Sequence, residues 1–281
     1  MQKFKLIIVS PLGFSGSNLM HSLLDSHEQI LTLPTRLFKY PDKEKILTSK
    51  VVERFIESHK EIFDNRFRQN LPFLDRPNNN SELISLDIFK EKIKNLLKNE
   101  WDKVYKRKLF IEAIHLAYAQ ASGLSLAHKK YILIHLHHYD GSHIKALEDY
   151  PDLKIIVMIR DPRESWLSFK TRNLNNEGSI HKIFNFVNLH THIYELKNDF
   201  AKLIQFSNLI KLNQICLVDL NKLHALQEKA IIAISRFLEI KYNKSLLESS
   251  FLGIPWLGNA ADGKRINGLS ISKSKAKWQE N

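Results

Sequence analysis

Residues 4–20 constrain this chain more than any other stretch. Leu6-Ile7-Ile8-Val9 is an unbroken apolar run rich in β-branched residues. That is the composition of a strand buried on both faces of a parallel sheet. Ser10-Pro11-Leu12-Gly13-Phe14-Ser15-Gly16 comes next as a turn, with Gly13 and Gly16 free to take positive φ. From Ser17 the period becomes helical, and Leu19, Met20, Leu23 and Leu24 recur at helix spacing as far as Asp25. Strand, small-residue loop and helix in that order make a cradle for a phosphate-like anion, because backbone N–H groups and a helix N-terminus converge on it. A tight turn that binds nothing has the same local sequence. Its place as the first βα turn favours the binding reading.

Two familiar versions of such a loop do not fit. The ATP/GTP version needs G-x-x-x-x-G-K-[ST], and here Gly16 is followed by Ser17 and Asn18 with no lysine. The dinucleotide fingerprint G-x-G-x-x-G is absent as well. The expectation is therefore a loop of Gly13, Phe14, Ser15, Gly16, Ser17 and Asn18 that holds an anion without the usual lysine.

At 281 residues the chain is long enough for a large α/β core, and it shows no internal repeat or clear linker. Hydrophobic content of 43% and charged content of 26% are those of a globular protein. No apolar stretch approaches the roughly 20 residues of a membrane span. The N-terminus enters a strand almost at once, so no signal peptide is expected. A single cysteine, Cys216, excludes an internal disulfide framework and fits a reducing, cytoplasmic setting; its apolar surroundings predict a core thiol. The net charge of +12 favours anionic partners. The lysines are spread along the chain, however, and no nucleic-acid-binding signature accompanies them.

Beyond the first helix, Leu31 to Arg36 reads as extended and is broken by Pro34. Lys43–Phe63, Leu83–Leu97 and Leu109–Ala121 read as helices, and 65–82 as a polar loop, so about 40–125 is a helical excursion from the sheet. Lys130–Ile134 is a second buried strand and runs into His135-Leu136-His137-His138. Alternation puts His135 and His137 on one face. A metal site, a satisfied structural pair and acid–base work near neutral pH all remain open for these rings. No further ligand is marked by spacing, so no metal is expected. Phe184–Leu209 reads as a helix, Gln214–Val218 as a fourth strand, Leu226–Leu238 as a helix and 249–268 as loop.

Leu153 to Ile159 is the third strand and leads into Arg160-Asp161-Pro162-Arg163-Glu164-Ser165. Asp161 as N-cap, Pro162 at N1 and Glu164 at N3 read as a capping box that opens a helix. Capping does not account for Arg160 at the strand end or Ser168 two turns along. Ser165, Ser168 and Arg172 share one helix face. With Arg160 they suggest a second anion pocket of guanidinium and hydroxyl donors.

Two anion sites after two strands of one sheet predict a ligand with two separated phosphate groups. With these residues the chain resembles the PAPS-dependent sulfotransferases, PAPS being 3′-phosphoadenosine-5′-phosphosulfate. Gly13-Phe14-Ser15-Gly16-Ser17-Asn18-Leu19 is similar to that family's 5′-phosphosulfate loop, usually R-S-G-[ST]-T-L. Leu24-Asp25-Ser26-His27 resembles the segment after the loop in carbohydrate- and protein-directed members. Arg160 and Ser168, eight positions apart, resemble its 3′-phosphate motif, and Tyr150 to Lys154 the usual lead-in to the strand before it. The tail from Gly253 to Trp278, with Lys264, Arg265 and Gly268, is faintly similar to the C-terminal segment. Phe14 stands where the family has arginine, and the glutamate that some members carry past the loop helix is absent, since Leu33, Pro34 and Thr35 occupy those positions. His135-Leu136-His137 resembles a K-T-H-like segment, with His137 in the base place and His135 in the lysine place.

The resemblance implies one three-layer α/β domain over 1–281, with a central parallel sheet, a P-loop-NTPase-like phosphate loop and a helical insertion. It implies transfer of a sulfuryl group from PAPS to an acceptor hydroxyl, with adenosine 3′,5′-bisphosphate as product. His137, then His135 or His138, would act as base. Gly13 to Asn18, Arg160, Ser168, Lys264 and Arg265 would bind PAPS. The acceptor, whether small molecule, glycan, lipid or peptide, carries no motif, and neither does the oligomeric state. A catalytically degenerate nucleotide- or polyanion-binding protein and a small-molecule kinase of related fold are the alternatives.

Overall fold

The computed structural model describes residues 3–37, 39–63, 84–136, 141–174, 181–258 and 267–271, with the side chains of 171–174 and 181–188 outside that description. Five strands form one parallel sheet: β1 (Lys5–Pro11), β2 (Ile30–Leu31), β3 (Tyr131–His135), β4 (Lys154–Ile159) and β5 (Ile215–Asp219), in the order β2-β3-β1-β4-β5. Alternation along β1 divides the core in two. Leu6 and Ile8 face one side with Ile134 and Val157, under Phe55, Phe110 and Tyr118. Ile7 and Val9 face the other with Leu133 and Met158, under Leu23, Ile231 and Leu238. Helices on both faces of a parallel sheet explain why the strands read as continuous apolar runs.

The helices of the first face are α2 (Thr48–Ser58), α3 (Leu86–Leu96) and α4 (Arg107–Ala121), which is the expected helical excursion. The first of them starts later than Lys43, because Leu47 pairs with Val104 in an isolated antiparallel bridge. The opposite face takes α1 (Ser17–Asp25), α8 (Leu220–Leu226) and α9 (Glu228–Leu238). The last two replace the single helix read from Leu226; Gln227, at φ 37°, breaks between them with neither glycine nor proline as a signal. α5 (Ser142–Asp149) precedes β4, and α6 (Pro162–Leu174) and α7 (His181–Ser207) come after it. Within the stretch read as loop lies a small antiparallel hairpin, β6 (Ser250–Phe251) with β7 (Ile254–Pro255). Cys216 lies on the edge strand β5 and is only half-buried, with its thiol pKa pushed up by burial.

The ends of β1, β3, β4 and β5 meet at the C-terminal edge of the sheet, where the chain passes from one side of β1 to the other. Open α/β sheets bind ligands at that position. Among the described residues no helix is long and apolar enough to cross a membrane.

Candidate functional site

The β1–α1 loop is shaped by its glycines. Gly13 and Gly16 sit at φ 64° and 81°, a region that side chains with a Cβ avoid. A Cβ on Gly16 would meet Leu220 Cδ1 at 2.6 Å, and one on Gly13 would meet Leu196 Cδ2 at 2.6 Å and Ser165 Oγ at 2.8 Å. The α1 N-terminus has neither a side-chain cap nor an acidic residue in its first turn. The first internal amide bond runs from Met20 N–H to Gly16 C=O at 3.2 Å, and the N–H groups of Gly16, Ser17, Asn18 and Leu19 have no partner among the described residues. A helix start whose amides have no partner among the described residues, with an uncompensated dipole, has the geometry that can receive an anion. Not every loop amide is available. Ser15 N–H donates to Gly13 C=O at 3.0 Å, and Phe14 N–H donates to Ser165 Oγ at 3.1 Å.

That bond to Ser165 joins the loop to α6. Ser165 Oγ also pairs with His192 Nε2 at 3.1 Å, and burial holds the His192 pKa below its ordinary value. The Phe14 ring meets Phe169 edge-on at 5.3 Å and His192 at 6.0 Å, so it packs where the family's arginine would carry charge. Beside this aromatic group an apolar cavity of about 430 Å³ opens between α6 and α7, lined by Trp166, Leu167, Leu189, His192, Ile193 and Leu196.

One turn further along α6 lies the second group. Arg160 donates through Nη1 to Ser168 Oγ at 2.7 Å and through Nη2 to Glu164 Oε2 at 2.8 Å. Burial lowers its pKa, while Glu164, Asp219 and Asp161 pull the other way. The capping box is thus half made. Asp161 accepts from Arg163 N–H at 2.8 Å, but the Glu164 carboxylate turns to Arg160. Ser165 and Ser168 share the face expected of them, one on the loop and the other on Arg160, so one helix carries both corners. Arg172 belongs to α6, but its side chain is outside the description.

His135 ends β3 fully buried, 1% exposed, with its ring edge-on to His21 at 5.6 Å. The His21 pKa is pushed down to about 3, chiefly by burial and then by Arg36 and His115. A ring sealed under the sheet edge is not open to an acceptor hydroxyl. His137 and His138 lie outside the described residues, as do Lys264 and Arg265. The tail's anchors are described: Ser249 N–H and Oγ both donate to Asn267 Oδ1 at 2.9 Å, and Trp256 and Phe251 pack with Leu19 of α1. Among the described residues no group of three or more His, Cys, Asp or Glu is placed to hold a metal ion.

Sequence reasoning missed Glu164 as the partner of Arg160 and His192 as the partner of Ser165. A capping box and an arginine clamp use the same residue at the same spacing, and His192 is brought in by α7 with no local signal.

The model of the sulfotransferase family matches residues 7–244. No curated protein matches the sequence. Among solved structures, the sulfotransferase domain from the curacin biosynthetic pathway aligns with 14% identity and a TM-score of 0.54, covering 99% of this chain and 92% of that one. The sulfotransferase domain of the Synechococcus PCC 7002 olefin synthase aligns with 13% identity and a TM-score of 0.55, covering 100% and 90%. At this identity the likeness is one of fold.

Proposed function

This chain belongs to the sulfotransferase family, and on that footing we propose that it moves a sulfuryl group from PAPS to an acceptor hydroxyl. PAPS, when bound, supplies an activated sulfuryl group and leaves as adenosine 3′,5′-bisphosphate. The observation that carries the reading is the uncapped start of α1, whose amides at Gly16 to Leu19 have no partner among the described residues, joined through Ser165 on α6 to the Arg160–Ser168 pair. These donors fit a ligand with one anionic group at each corner. The α1 amides hold the 5′ end and take up negative charge as it grows there, as preorganised donors do. Arg160 and Ser168 hold the 3′-phosphate, and Lys264 and Arg265 add positive charge from the tail. His137 takes the acceptor's proton, since a base must stand within hydrogen-bond reach of it and His135 is buried.

The test is thermal unfolding with adenosine 3′,5′-bisphosphate against ADP and AMP. Ligand at about 100 times its dissociation constant adds roughly 2.7 kcal/mol, a shift of about 5–10 °C for a chain of this size. A shift matched by ADP sinks the 3′-phosphate assignment. Phe14, packed in the aromatic group in place of a loop cation, favours a second reading, a nucleotide binder without turnover. Transfer of labelled sulfate from PAPS to a pool of hydroxyl acceptors separates the two.

A further inference from the structure

The guanidinium of Arg160 is gripped by the helix that comes after it. Nη1 reaches Ser168 and Nη2 reaches Glu164, with side-chain exposures of 13% for Arg160 and 1% for Glu164. A guanidinium has five N–H donors, and each terminal nitrogen keeps a second one beyond these bonds. A buried carboxylate in this position works against anion binding, because it cancels much of the guanidinium's charge. Helix capping does not explain it, since Asp161 makes the cap and the Glu164 carboxylate points at Arg160. Nor is it a surface pair of little consequence, because the carboxylate is out of water and needs its partner. What the contact gives is orientation. An arginine side chain left loose must be ordered by the ligand, at a cost in rotamer freedom, whereas a braced one meets the ligand already aimed.

We infer that Glu164 is the positioning residue of the 3′-phosphate site: its buried carboxylate holds the Arg160 guanidinium so that a phosphomonoester on the ribose 3′-oxygen is met by aimed N–H groups. The inference rests on the reading of Arg160 and Ser168 as the 3′-phosphate pair. It makes Glu164 a determinant of selectivity between 3′-phosphorylated and plain nucleotides. A general polyanion would be drawn by net positive charge, and the Arg160–Glu164 pair carries little.

The experiment is calorimetric titration of the full chain with adenosine 3′,5′-bisphosphate and with AMP, which lacks the 3′-phosphate. The ratio of the two dissociation constants isolates the corner. In Glu164→Ala the preference for the bisphosphate falls by about tenfold or more, the scale of one hydrogen bond to a charged group, while AMP binding holds. In Glu164→Gln, whose side-chain oxygen accepts the same bond, the preference is kept. Glu164→Asp preserves the charge but shortens the reach, so it loses preference as alanine does; it also serves if the alanine variant does not fold. A purely structural ion pair would lower the unfolding temperature and leave the ratio unmoved. An unchanged or increased preference in Glu164→Ala or Glu164→Asp overturns the inference, as does a preference lost in Glu164→Gln. A wild-type chain with no preference for the bisphosphate instead removes the 3′-phosphate reading itself, before any variant is made.

Discussion

The loop after β1 and the corner after β4 stand at the same edge of the sheet, yet they are made of opposite materials. The loop offers main-chain N–H groups, no cation and no acid, and its shape rests on two glycines. The corner offers side chains, a guanidinium between a hydroxyl and a buried carboxylate. A backbone site is set by conformation and tolerates most changes of side chain. A side-chain site is set by pairing and fails when one partner is taken away. α6 joins the two through Ser165 and Ser168, so a change in one corner is felt next to the other.

That contrast makes the largest effect fall at the corner. Arg160→Ala takes the guanidinium away from the buried Glu164 carboxylate, and breaking a buried ion pair costs about 3–5 kcal/mol and lowers the unfolding temperature. It also weakens bisphosphate binding by about ten- to a hundredfold. The double variant Arg160→Ala/Glu164→Ala regains most of the stability and none of the affinity; calorimetry and thermal unfolding read both. Affinity regained along with stability would mean that the guanidinium is a structural strut.

Acid acts next. His21 of α1 and His115 of α4 are buried neutral, with pKa values held down to about 3 and about 4, mainly by burial. Below about pH 6.5 the unfolded chain binds protons that the folded chain does not. Stability is therefore full above that value and falls as the pH drops towards the folded values, by up to about 1.4 kcal/mol per pH unit for each histidine. Asp25, whose pKa burial raises, works the other way at the acid end. His21→Phe removes one histidine's share of the slope in denaturant titrations between pH 6.5 and 4. An unaltered slope would show that His21 is not neutral in the fold.

Gly16→Ala comes third. The positive φ costs about 1–2 kcal/mol, and the new Cβ presses on Leu220. Urea midpoints fall and bisphosphate binding weakens. The smallest effect tests whether the loop is a backbone site at all. Phe14→Leu loses aromatic contacts worth about 0.5–1.5 kcal/mol, but leaves the main-chain bond to Ser165 in place. Bisphosphate affinity is unchanged within about twofold, because no hydrogen bond to the ligand is lost. A much larger loss would put the Phe14 ring against the nucleotide.

Much of the geometry of the loop and the corner was legible because its signals are local. The β1 run is apolar throughout since both of its faces are covered, and Gly13 and Gly16 mark a backbone that other residues resist. Arg160 at a strand end has no capping role, which marked it out as a candidate. Glu164 was legible as a residue and misread in its role, because spacing alone does not say which way a carboxylate turns. The Gln227 break carries no turn signal, and packing of α8 and α9 decides it; the β6–β7 hairpin carries only Gly253 at positive φ, and its packing on α1 completes it.

By itself the sequence determined the strand runs, the glycine-shaped loop and the arginine–serine spacing, since each comes from burial, φ or helical period within a few residues. Only the tertiary structure decided that Ser165 closes on Phe14 N–H, that α7 brings His192 to Ser165, that His135 is sealed against His21, and that Glu164 serves Arg160. These contacts depend on where separate elements come to rest and which way side chains turn there. Burial and pairing between elements, which no local period records, set both.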